Sequence, residues 1–123
     1  MKLVRLGVEM KTPPQLTLLY IISRLGRAHQ HEIASIVEKL QRSGIDLGYK
    51  FVKLVELRVS KELFMDLNLL KVLGLVREDG GELVITEKGK VLIEKIVARG
   101  VLNRKVLKVI DELVERRIVS RSL

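Results

Sequence analysis

The stretch LLKVLGLVREDGGELVITEKGK, residues 69–90, constrains the fold more than any other part of the chain. An apolar helix end runs into Gly74, and two short β-prone runs follow, Leu75–Glu78 and Glu82–Ile85. Asp79-Gly80 between them suits the positive φ of a tight hairpin turn. Thr86-Glu87-Lys88-Gly89 then opens a further helix, predicted over about Glu87–Arg99 and stopped by Gly100. A two-stranded hairpin is barely stable alone in water, so the two helices beside it have to supply its packing.

The upstream segments supply the rest of a core. Residues 2–10 alternate, with Val4, Leu6, Val8 and Met10 on one side, and predict a strand. In Thr12-Pro13-Pro14-Gln15, Thr12 is read as an N-cap, Pro13 as the first helical residue and Gln15 as the return arm of a capping box. That helix runs to about Leu25 and is apolar nearly all round, which makes it central. A second helix, about Gln30–Arg42, carries Ile33, Ile36, Val37 and Leu40 at helical spacing and stops near Gly44. Tyr49–Val59 reads as an extended connection ending in a strand. Ser60 caps a third helix, Lys61–Leu73, with Leu63, Phe64, Leu67 and Leu70 predicted inward and Met65, Leu69 and Val72 outward.

A last helix, about Leu102–Val119, carries two adjacent apolar stripes. Leu102, Val106, Val109 and Leu113 make one; Leu107, Ile110, Val114 and Ile118 make the other. Two stripes on one helix predict packing on its own domain with one and on a partner with the other, hence a homodimer through this helix.

Strand, helix, helix, short strand, helix, hairpin, helix, helix is the element order of a winged helix-turn-helix domain. The fold class expected is therefore α+β, mainly helical. Residues 1–100 form the winged-helix domain with its N-terminal strand, and residues 101–123 a C-terminal dimerisation helix within the same unit.

At 123 residues one core suffices. Cysteine is absent, which removes disulfides and thiolate chemistry. No apolar run approaches the ~18 residues that span a bilayer, and residues 1–10 lack the pattern of a secretory leader, so a cytoplasmic protein without a membrane partner is expected. His29 and His31 stand two apart at a helix start, where their directions diverge and no third ligand joins them. No carboxylate pair, catalytic triad or phosphate-binding glycine loop is present; the expectation is a non-enzyme with no metal and no cofactor. Asn and Gln are scarce beside abundant Lys, Arg and Glu, a composition that suits a thermophilic source.

The formal charge of +8 favours polyanionic partners, DNA first among them, but it is unevenly spread. Residues 1–59 carry +5, residues 60–87 carry −3 and residues 88–123 carry +6. A winged helix lays its third helix in the major groove and its wing on the neighbouring backbone. That geometry puts Lys61, Glu62, Met65 and Asn68 at the base-contacting positions and Arg77 on the wing, with Arg58, Lys88 and Lys90 as phosphate contacts. A small DNA-binding transcription regulator is the first reading. Against it stand Glu78, Asp79 and Glu82 at the wing tip and the apolar outward set Met65, Leu69 and Val72. These favour the alternative, a protein-interaction module on the same scaffold.

Leu47-Gly48-Tyr49, Phe51, then Ser60, Glu62-Leu63, Asp66-Leu67, Leu70 and Gly74-Leu75 resemble the archaeal relatives of the antitoxin-like domain sometimes called Panacea. The resemblance spans roughly residues 13–90 and departs at Glu56-Leu57-Arg58-Val59, where such proteins often carry Tyr-Gly-Pro-Tyr. Separately, Gly74-Leu75-Val76 and Leu83–Gly89 resemble winged-helix transcription regulators in general. The first resemblance implies a protein-binding domain, the second a DNA-binding regulator.

Overall fold

The computed structural model describes residues 10–121. Its central element is α1 (Pro14–Leu25), whose Thr17–Ile22 run and Leu25 are all buried. A helix without a polar face has to be surrounded, and α1 packs against α2 (Gln30–Arg42), α3 (Lys61–Val72), α4 (Glu87–Ala98) and α5 (Arg104–Arg121). The predicted capping box does not form. Pro13 is the cap, the helix starts at Pro14, and the Thr12 hydroxyl lies 3.2 Å from that of Thr17. Pro14 carries no N–H to be capped, so starting the helix there leaves one donor fewer to satisfy.

Three small sheets tie the helices together. Of the strand expected over residues 2–10, only Met10 falls within the described residues, in β1 (Met10–Lys11), which pairs in parallel with β3 (Ile45–Asp46). β2 (Arg27–Ala28) joins the edge of an antiparallel hairpin made by β6 (Val76–Asp79) and β7 (Glu82–Ile85), in the order β2-β7-β6. Asp79 pairs with Glu82, so the turn is Gly80-Gly81 rather than Asp79-Gly80. Both glycines have positive φ, +60° and +81°, as a two-residue primed turn requires.

β4 (Val52–Leu54) and β5 (Leu57–Val59) form a second antiparallel hairpin, where the sequence predicts an extended connection ending in one strand. Its turn is Val55-Glu56, with Val55 at φ +57° and 86% exposed. A β-branched residue in that region is strained and gains nothing from burial here. Val55→Gly should therefore raise stability by about 0.5–1 kcal/mol in chemical denaturation; a loss would mean that Val55 is packed.

The core-facing stripe of α2 is Ile33, Ile36, Val37 and Leu40, as the spacing predicts. α3 buries Leu63, Leu67 and Leu70, and its N-cap Ser60 accepts from the Leu63 N–H at 3.3 Å. Phe64, predicted inward, is half exposed. Tyr49 and Asp66 meet across the fold: the Tyr49 hydroxyl donates to Asp66 Oδ2 at 2.6 Å, and burial together with that carboxylate pushes the phenol upward. The Gln41 amide grips both the N–H and the C=O of Tyr49. These residues brace the link from α2 to α3.

Candidate interaction surface

Of the residues proposed from sequence to touch DNA, Arg58, Arg77 and Lys88 are engaged by other groups of the chain. Arg58, on β5, is ion-paired to Glu38 of α2, which also holds Arg42. The Lys88 ammonium donates to the Leu73 carbonyl at 2.8 Å, closing the C-terminal end of α3 instead of standing clear for a phosphate. Arg77 lies 3.7 Å from Asp79. Asn68 is half-buried in a shallow groove between α3 and the β6–β7 hairpin, lined also by Gln30, Lys71 and Glu78. Lys61 and Lys90 are exposed and make no salt bridge among the described residues.

The acids of the β6–β7 tip are not the bare negative charge they look in sequence. Arg27 of β2 reaches Glu82 at 2.7 Å and Asp79 at 3.1 Å, and Lys71 of α3 reaches Glu78 at 2.8 Å. Arg27 lies more than fifty residues upstream. Only the β2–β7 pairing brings it to the tip, so the repulsion expected there is largely offset.

What α3 presents outward is apolar. Val72 is 83% exposed, Met65 57% and Leu69 42%, with Phe64 and Leu73 each about half exposed beside them. The β4–β5 hairpin, separated from α3 by Ser60 alone, adds Val52, Leu54, Val55 and Leu57, all more than half exposed. Among the described residues, nine of the fourteen large apolar side chains that stand open to solvent lie in this one segment, residues 52–73.

The second stripe of the last helix, Leu107, Ile110, Val114 and Ile118, expected to face a partner, is largely turned inward. Ile110 and Val114 are buried in the chain's own core, and Leu107 is partly buried against it; of the four, only Ile118 is exposed. The buried stripe of α5 is Val106, Ile110 and Val114, which draws on both of the stripes read from sequence. Its rotation is set by polar clasps that no periodicity reveals. The Tyr20 hydroxyl of α1 donates to Asp111 Oδ1 at 2.7 Å, and Arg24 Nε donates to the same oxygen at 3.1 Å; burial, then Asp111, pushes the Tyr20 hydroxyl up to about 12.

Further along α5, Arg117 and Arg121 close on the buried Glu32 of α2. Oε1 of Glu32 accepts from the His29 N–H at 3.1 Å and Arg121 Nη2 at 2.8 Å. Oε2 accepts from Arg117 Nε at 3.1 Å and Arg121 Nε at 2.9 Å. Arg121 first, then the backbone and Arg117, hold this carboxyl down at about 2 against the opposing effect of burial.

A run of exposed cations follows in sequence along α4 and the start of α5. Lys90, Lys95, Arg99, Arg104, Lys105 and Lys108 are all exposed, and none makes a salt bridge among the described residues. They run along α4, around Gly100 and into the first turns of α5. His29 and His31, expected to diverge, stack with ring centroids 5.4 Å apart. His29 is the extended cap residue of α2, so helical side-chain directions do not apply to it. Among the described residues no three His, Asp or Glu side chains group as metal ligands, and no helix is long and apolar enough to cross a membrane. Compared with known protein families, curated proteins and solved structures, the chain matches none.

Proposed function

We propose that this chain is a winged-helix-type domain whose third helix docks onto protein instead of reading DNA bases. The observation that carries the reading is the outward face of α3: Met65, Leu69 and Val72, flanked by Phe64 and Leu73. Base edges are hydrogen-bond donors and acceptors, and a reading helix meets them with Arg, Asn, Gln or similar groups. Aliphatic side chains offer contact to a thymine methyl and little else, whereas exposed apolar patches of this kind serve protein contacts. The resemblance to the antitoxin-like domain, carried by Leu47–Leu75, points the same way.

A second reading has its own support. Six exposed cations of α4 and α5, from Lys90 to Lys108, make no salt bridge among the described residues, and such charges suit the DNA backbone, which binds by charge without reading sequence. Retardation of duplex DNA across a salt series separates the two roles. The variant Met65→Ala/Leu69→Ala/Val72→Ala should retard DNA as the parent does. Lys95→Ala/Arg99→Ala/Lys105→Ala/Lys108→Ala should weaken retardation and flatten its salt dependence, by about 0.9 in the log–log slope for each phosphate that is no longer neutralised. Loss of retardation in the α3 variant would make α3 a DNA-reading helix and end the first reading. No retardation by the parent at low salt would remove the second.

A further inference from the structure

We infer that the cleft between α2 and α5 is a binding site for a small phosphate dianion, taken as free phosphate or as the phosphate group of a monoester. Ser35 and Lys39 stand one turn apart on α2, and Arg116 and Ser120 one turn apart on α5; all four line this cleft together with Arg117. Ile36 and Leu113 complete its lining. Ile36 is buried in the core and Leu113 packs against it, so both walls stand on fixed ground.

The cleft carries charge of one sign. Three cations line it and no carboxylate does. Glu38, the neighbour of Lys39, is held by Arg42 and Arg58 instead. Among the described residues Lys39 and Arg116 have no ion-pair partner, not even Glu112 one turn before Arg116, and the hydroxyls of Ser35 and Ser120 make no hydrogen bond. Arg117 donates to Glu32 through Nε, at 3.1 Å, which leaves its two terminal nitrogens without an acceptor there. Unused donors and cations around one cleft call for an oxyanion.

Charge and size select the phosphate. A phosphomonoester brings about −1.5 to −2 at neutral pH and three acceptor oxygens, which answer the two unpaired cations and the hydroxyls beside them. A carboxylate or a duplex phosphodiester brings a single charge and leaves cations over. The cleft holds about 200 Å³, short of the roughly 300–1,000 Å³ of sites that enclose a drug-sized ligand, so a phosphate and a small attached group fill it. Arg117 lines the cleft while it grips Glu32, so an occupant extends that clasp and ties the end of α5 more firmly to α2.

Calorimetric titration of the full chain with inorganic phosphate, at an ionic strength held constant with chloride, tests the inference. One phosphate should bind per chain and slow amide exchange in the last turns of α5 and around Lys39. Lys39→Ala/Arg116→Ala should weaken binding at least about tenfold while melting in chloride stays unchanged, since both side chains are exposed and unpaired. Lys95→Ala/Arg99→Ala/Lys105→Ala/Lys108→Ala removes more charge from another stretch and should bind phosphate as the parent does. Methyl phosphate separates the two sources: binding as tight as that of phosphate supports a monoester ligand, and weaker binding supports the free ion. Binding that does not saturate, or that both variants weaken alike, would overturn the inference and leave only diffuse attraction to a basic chain. Displacement of bound phosphate by duplex DNA would overturn it as well, making the cleft a contact to the DNA backbone.

Discussion

Glu32→Gln should lower stability by about 2–3 kcal/mol, close to 10 °C in melting temperature for a chain of this size. The carboxylate is buried and accepts from the His29 N–H, Arg117 and Arg121. The amide removes the charge, keeps only one acceptor oxygen and turns an NH2 toward two guanidinium groups. A fully buried pair broken on one side would cost about 3–5 kcal/mol, and the lower figure follows because Arg117 and Arg121 remain about one-third exposed to solvent. The loss should be local first, with amide exchange rising in the last turns of α5. Arg121→Ala added to Glu32→Gln should cost less than the sum of the two. The pH dependence carries a sign. The folded-state value of about 2 lies below the ordinary 4.5, so the stabilisation is whole above about pH 4.5 and drains away as pH falls toward 2. Glu32→Gln should lack that component of acid unfolding; a variant melting within about 2 °C of the parent would show the clasp to be idle.

Gly89→Ala should destabilise by about 3 kcal/mol or more, although Ala in a helix is ordinarily better than Gly by about 1 kcal/mol. The two effects oppose, and distance decides between them. A Cβ at Gly89 would stand 2.2 Å from the Leu75 carbonyl oxygen and 2.8 Å from Cγ1 of Ile85. The carbonyl cannot retreat freely, because it accepts the Thr86 N–H at 3.0 Å where β7 turns into α4. The Thr86 hydroxyl meanwhile donates to the Gly74 carbonyl at 2.6 Å and accepts from the Gly89 N–H at 3.1 Å. The junction of α3, β6 and α4 is thus a close backbone crossing that a methyl group forces apart. Denaturant titration reads the result directly, and a gain in stability would mean that helix propensity had won.

Much of the architecture is legible in the chain. The four central helices, the β6–β7 hairpin and the outward set on α3 follow from apolar spacing and from the caps at Ser60 and Thr86, which are local signals. Two of the misreadings share a cause, which is that long-range polar contacts override local periodicity. The two stripes of α5 are equally apolar, and the choice between them rests on Glu32, Tyr20 and Arg24, all on helices far upstream. The acidity of residues 60–87 is plain in sequence, but its neutralisation by Arg27 depends on a strand pairing of two residues, too short to leave a pattern. Phe64 sits at the margin of the buried arc of α3, where helical angle alone does not decide its side. The β4–β5 hairpin is hidden in sequence because Val52, Leu54 and Leu57 look like core residues and are exposed.

On the reading proposed above, the helix that a DNA-binding winged helix would lay in the groove serves as an apolar docking face, and DNA contact, if made, falls on exposed cations of α4 and α5. Residue-level covalent footprinting of the full chain, with and without duplex DNA at low salt, tests that division most directly. Met65, Leu69 and Val72 should be labelled equally with and without DNA, while any protection by DNA falls on Lys95–Lys108. DNA that shields Met65, Leu69 and Val72 at a protein concentration where they are otherwise labelled would contradict it.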